Sequence, residues 1–126
     1  MSNGIPYFPL DVHLDEKFEL VEAECGVKGF GIVVHLLQEI YGGQGYYFEL
    51  TNEIALLFAR KIGVDGSAVS HIVNASIRRG IFDKDLFEKY HILTSKGIQK
   101  RYFTAVARRK KIEVKKEYLL ISLDNF

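Results

Sequence analysis

What this chain of 126 residues lacks narrows its chemistry first. It has one cysteine, Cys25, so no disulfide closes within the chain. Its histidines, His13, His35, His71 and His91, stand at no metal-ligand spacing, which argues against a structural metal. No serine or cysteine sits in a nucleophile motif, so the chain reads as a non-enzyme without a cofactor. The run Gly42-Gly43-Gln44-Gly45 is followed by no lysine with serine or threonine, as a phosphate cradle would need, and reads as a connector. Neither a signal peptide nor an apolar run of bilayer length is present, so the expected compartment is the cytoplasm, with no membrane partner. The only prolines, Pro6 and Pro9, lie in the first fourteen residues and favour an extended arm there.

What is present is ordinary in bulk and polarised in detail. Hydrophobic residues make up 48% and charged residues 26%, the balance of one globular domain with a real core. The formal charge of +1 hides a split. Residues 1–59 hold two lysines against nine acids, a balance of −7, and residues 60–126 hold fifteen Lys and Arg against seven acids, a balance of +8. A basic half attracts a polyanion or an acidic surface, unless the charges only solvate helix faces.

The chain is organised around 52–83, which reads as helix, turn, helix and the start of a strand. In the first helix Ile54, Leu57, Phe58, Lys61 and Ile62 recur at helical spacing, Thr51 or Asn52 can cap it, and Gly63 ends it. The second helix, about 67–79, puts Val69, Ile72, Val73, Ser76 and Ile77 on one face and ends at Gly80. Ala59, Gly63 and Val69 supply the small contact residue, permissive turn and apolar wedge of a helix-turn-helix; an ordinary helical hairpin is the alternative. Ile81-Phe82-Asp83 reads as a short strand pairing with 91–94 to form a wing, and Tyr46, Phe48 and Leu50 alternate as in a third strand.

Around this centre lie helices and two flanking segments. Asp15 opens a short amphipathic helix with Phe18, Val21 and Cys25 on one stripe, Glu22 and Glu24 toward solvent, and Gly26 at its end. Cys25 reads as a small buried hydrophobe. From 28 to 41 a helix is apolar nearly all round and therefore central, with His35 as a core or boundary histidine and not a catalyst. From 95 to about 111 runs a final basic helix whose buried stripe is Ile98, Tyr102, Ala105 and Val106. The predicted fold is mostly α with a small β-sheet, a winged helix-turn-helix with added N- and C-terminal helices. Its divisions are an extended arm at 1–14, the winged-helix domain at 15–112, and a tail or the start of a linker at 113–126. The apolar stretch 117–123 shows no partner in the chain, as at a fragment end or a domain boundary.

Two classes of function fit these residues. As a DNA-binding module, the second hairpin helix presents Ser67, Ser70, His71, Asn74 and Arg78, none of them acidic, with Asn suited to adenine and Arg to guanine. Lys84, Lys89 and His91 on the wing, with Arg108, Arg109, Lys110 and Lys111, would then meet phosphates. As an assembly scaffold, the arm at Tyr7 and Phe8 and the tail at Leu119, Leu120 and Ile121 would be contact surfaces between copies or with other proteins. A winged-helix transcription regulator is a third option, without a visible effector pocket.

The segments Tyr7-Phe8-Pro9-Leu10-Asp11, Gly26 to Gly29 with Phe30, Leu57 to Gly63, Arg79 to Asp83, Phe87 to Tyr90 and Ile92 to Tyr102, in this order, resemble the N-terminal domain of phage replisome organisers and DnaD-like replication proteins. The resemblance runs from about residue 7 to 121. It implies a winged helix, a role in starting DNA replication in a phage or prophage setting, and association with other copies or with replication proteins. It brings no catalytic residues. In that family this domain is linked to self-association, and a separate C-terminal region contributes strongly to DNA binding.

Overall fold

The structure, a computed structural model, describes residues 3–10, 15–109 and 111–126. Asp15 opens the first helix, α1 (Glu16–Gly42): its carboxylate accepts from the Phe18 amide at 3.3 Å, and Glu16 and Glu19 stand at the positive end of the dipole. Gly26 interrupts the helix with φ 76° and ψ −179°, backbone angles that glycine alone adopts cheaply. The helix therefore has two limbs, 16–25 and 27–42, jointed where the spacing predicts. The second limb is central, burying Ile32, Val33, Leu36, Leu37, Ile40 and Tyr41. His35 departs from expectation: with Gly31 and Gln38 it forms the one solvent-facing stripe of this limb and is not in the core.

The hairpin follows as α2 (Asn52–Ile62) and α3 (Gly66–Arg78). Thr51 caps α2 by accepting from the Ile54 amide, and Gly63 turns left-handed at φ 79°, its N–H donating to Ala59 O at 2.9 Å. Ala59 is buried, as a close helix contact requires. Leu57 is not: it and Leu56 are 62% and 64% exposed. The α2 stripe faces inward through Phe58 and Ala59, which leaves Leu57, roughly 100° round the helix from Phe58, in solvent. α3 buries Val69, Ile72, Val73, Ala75 and Ser76 and packs across α1. The crossing is close at Gly29, where a Cβ would lie 2.8 Å from Ile72 Cδ1 and 2.5 Å from Cys25 Cβ.

The sheet has two strands among the described residues, β1 (Phe48–Glu49) and β2 (Ile92–Leu93), antiparallel, with Phe48 opposite Leu93 and Glu49 opposite Ile92. The predicted strand at 81–83 does not form. Its remnant is one bond from the Asp83 amide to Thr94 O at 2.7 Å, because Asp83 instead caps α4 (Lys84–Tyr90), accepting from the Leu86 amide at 3.0 Å. Leu86 and Phe87 then turn toward the core at helical spacing, and His91 closes α4 in the left-handed region at φ 56°. The residues between the two predicted wing strands are thus a helix. The whole is mostly helical with a small antiparallel sheet, consistent with a winged helix, and has helices before and after the hairpin.

The last helix, α5 (Lys96–Ala105), stops six residues short of the predicted end at about 111. Of its predicted stripe Ile98, Tyr102 and Val106 are buried but Ala105 is exposed, with Phe103 buried beside them instead, and the chain then turns back so that Ile112 and Val114 also pack on the core. The tail has a partner after all. Gln99 is fully buried; its amide nitrogen donates to Tyr118 O at 2.8 Å and to Thr94 Oγ1 at 3.1 Å, and its carbonyl accepts from the Leu120 amide at 2.7 Å. Tyr118 covers Tyr47 edge-on, with ring centroids 4.8 Å apart, so Tyr47 is buried although strand alternation would turn it outward.

Replacing Gln99 with leucine keeps the volume and deletes the bonds to the tail. The Leu120 N–H and Tyr118 carbonyl would lose their partners, at a cost on the order of 1–3 kcal/mol in urea melts. Trypsin should then cut faster at Lys115 and Lys116, whereas unchanged stability and cleavage would show the tail to be held by its rings alone.

Candidate nucleic-acid interface

The outward face of α3 is arranged as its sequence predicts: Ser67, Ser70, His71, Asn74 and Arg78 are all exposed. Steric demands on the other side decide this, since Val69, Ile72, Val73 and Ser76 must lie against α1 and α2. The helix carries no acid in its first turn. Hydroxyls near its N-terminus, an amide at its middle and a guanidinium at its end thus form one polar strip without carboxylates of its own.

A carboxylate arrives from elsewhere. Glu24, expected toward solvent, lies against the C-terminal end of α3, with Arg78 Nη2 2.6 Å from its Oε2 and Arg79 Nη2 3.2 Å from its Oε1. The Arg78 hydrogen bond holds the Glu24 carboxyl below the usual carboxylate range, and the same contact raises Arg78. Arg78 thus already has a carboxylate partner with which an incoming base or phosphate would compete. Beside this contact the ligating atoms of Glu24, Cys25 and His71 all lie within 4.8 Å of one another. Two guanidiniums already occupy Glu24 and would repel a cation, so the cluster is an ion pair flanked by a half-buried thiol. Burial, and after it the neighbouring Glu24 charge, push that thiol up.

The remaining predicted contacts are scattered. Lys84 and Lys89 stand on α4 and not on a wing strand; Lys84 Nζ is 3.9 Å from Glu88 Oε1, and Lys89 Nζ is 5.3 Å from the centre of the Tyr90 ring. Of the predicted basic cluster, Arg108, Arg109 and Lys111 lie beyond the end of α5. Arg108, Arg109 and Lys111 are exposed, Lys110 lies outside the described residues, and Arg109 is held at the surface by donating to Asn3 O at 3.0 Å and Gly4 O at 3.1 Å. These bonds reach across the chain to the arm, which explains the early end of α5.

The two apolar surfaces also differ from each other. Phe8 stacks on Tyr41 with centroids 4.7 Å apart, whereas Tyr7 is 82% exposed. Leu119, Leu120 and Ile121 are half-buried against the protein's own core. Sequence reasoning missed Glu24, Arg79, Gln99 and Lys115, whose amide donates to Tyr46 Oη at 2.8 Å. No local signal marks them, because each contact joins positions far apart in the chain.

Acid should loosen the contact between Glu24 and α3. A carboxyl with a lowered folded pKa adds stability above its unfolded value, and this is lost as pH falls through the folded value. In urea melts from pH 7 to pH 2, the native protein should lose more stability on acidification than Glu24→Gln. Parallel pH profiles for the two would mean that the ion pair adds nothing.

A family model described as Lin1244/Lin1753-like, N-terminal, matches residues 7–98. The uncharacterized phage-related protein Lin1244/Lin1753 of Listeria innocua serovar 6a is 44% identical over 123 residues, covering 96% of this chain and 40% of that protein. The chain thus spans well under half the length of that relative. No solved structure matches. With most of its length matched by the family model and nearly all of it by that relative, the chain belongs to the Lin1244/Lin1753-like N-terminal family.

Proposed function

We propose that this is a non-enzymatic DNA-contacting and assembly domain of a phage or prophage replication-initiation protein of the replisome-organiser, DnaD-like kind. The observation that carries the reading is the exposed strip of Ser67, Ser70, His71 and Asn74 on a helix whose opposite face is locked into the core. A helix with such a strip suits a major groove: Asn74 can pair with adenine, its amide oxygen accepting from N6 and its NH2 donating to N7, and the serines can bond phosphates beside the helix N-terminus. Arg78 joins by exchanging Glu24 for a guanine edge or a phosphate. The phage-related relative supports the setting.

Assembly of copies or of replication proteins is the second reading, favoured by Tyr7 at 82% and Leu10 at 50% exposure on the arm. Under it the domain is a scaffold, and α3 is only a solvated face.

Fluorescence anisotropy with duplex DNA across a salt series separates the two. Asn74→Asp should cost about 1–3 kcal/mol and relax the preference at one base position. Arg108→Ala with Lys111→Ala should leave the preference intact and reduce the slope of log affinity against log salt by up to roughly 1.8, at about 0.9 per phosphate. Duplex binding indifferent to Asn74 would leave the scaffold reading in place.

A further inference from the structure

The arm and α5 enclose a groove of about 610 Å³ between Tyr7, Phe8, Tyr41, Lys100, Arg101 and Thr104. It opens at the C-terminal end of α1, where the Ile5 amide donates to Tyr41 O at 2.8 Å. α3 crosses α1 near Gly29, twelve residues earlier, or roughly 18 Å along the helix axis at 1.5 Å per residue. The groove is therefore separate from the α3 strip.

Three features of the groove point to one class of ligand. First, Tyr7 presents its ring at 82% exposure from a backbone that Pro6 and Pro9 stiffen and that Arg109 ties down through Asn3 O and Gly4 O. A planar ring held out on a stiff support is a stacking platform prepared in advance. Phe8, stacked on Tyr41 at 4.7 Å, shows that this wall receives flat rings.

Second, the rim is cationic and without acids bonded to it. Every ion pair among the described residues involves positions 15–88, whereas Lys100 and Arg101 are in none. Arg101 Nε donates to Tyr41 Oη at 2.9 Å, which fixes its guanidinium at the groove. From residue 89 to the end the sequence holds ten Lys and Arg against three acids. Asp15, which lines an adjoining hollow, already accepts from the Phe18 amide.

Third, a second copy fits poorly. A symmetric contact sets a patch against itself, so it would gather two sets of Lys100 and Arg101 in one interface with no acid among the described residues lining the groove to pair them. A polyanion with flat, stackable groups meets both the rings and the cations.

We propose that this groove binds single-stranded DNA, with a base stacked on Tyr7 and its phosphates beside Lys100 and Arg101. The proposal extends the reading of the domain as a DNA-contacting one to a second face, and it concerns unpaired strand instead of duplex.

The test uses the full chain with fluorescein-labelled oligothymidylate of twelve nucleotides and a duplex of twelve base pairs, by anisotropy, beside light scattering. Tyr7→Ala should weaken oligothymidylate binding roughly five- to 150-fold, the worth of one stacked base, and Tyr7→Trp should restore it. Lys100→Glu should weaken it too, and Lys100→Ala should reduce its salt slope by about 0.7. None of these exposed positions should alter duplex affinity, which follows Asn74. If duplex binding ignores Asn74 but oligothymidylate binding follows Tyr7, the α3 reading fails and the groove stands. Oligothymidylate that does not bind, or binds equally to Tyr7→Ala and Lys100→Glu, overturns the groove. A fall in molecular mass on Tyr7→Ala with unchanged oligothymidylate affinity overturns it as well and assigns the groove to a second copy.

Discussion

The placement of α3 depends on a missing side chain at Gly29. With no Cβ there, Ile72 can descend onto the second limb of α1, and the inner face of α3 becomes a packed surface with no freedom to roll. Everything on the outer face inherits its direction from that contact. Ser70, His71 and Asn74 point outward because Val69, Ile72 and Val73 cannot. Gly26, three residues earlier, lets the first limb of α1 leave the axis of the second and brings Glu24 onto the end of α3. Two glycines on one helix thus set both the candidate strip and the acid that engages it.

A second, polar constraint governs the other side of the molecule. Gln99 is buried with its amide satisfied by the tail, at Tyr118 O and the Leu120 amide, and by Thr94 Oγ1, whose hydroxyl donates to Tyr46 O. A buried amide is costly unless each of its groups is met, so the tail has one register on the core. That register brings Tyr118 over Tyr47 and between Tyr47 and Tyr90, with Lys115 above the Tyr118 ring at 5.3 Å. The tail behaves as part of the domain's packing.

Charge is sorted by these same contacts. The acidic first half pairs with cations of the hairpin, through Glu39 with Lys61 and Glu24 with Arg78 and Arg79, and so neutralises much of the positive charge that a count along the chain assigns to the hairpin. The surplus is left to α5 and the residues after it. Net charge by segment is therefore a poor guide to the basic face; the distribution of ion pairs is a better one.

The hairpin, its glycine turn, the joint at Gly26, the central limb of α1 and the outward residues of α3 are all legible along the chain. All of these follow from helical periodicity, capping residues and glycine conformation, which act within a few positions. The tertiary structure decided whatever depends on distant partners. Asp83 can end a strand or cap a helix, and the helix formed because Leu86 and Phe87 then reach the core. α5 ends early because Val106, Ile112 and Val114 pack inward and Arg109 meets the arm. Glu24 looks solvent-facing on a helical wheel, and only folding sets it 54 positions away beside Arg78. Local rules specify which face of an element is apolar; which other face it meets is settled by how all of them can be buried together.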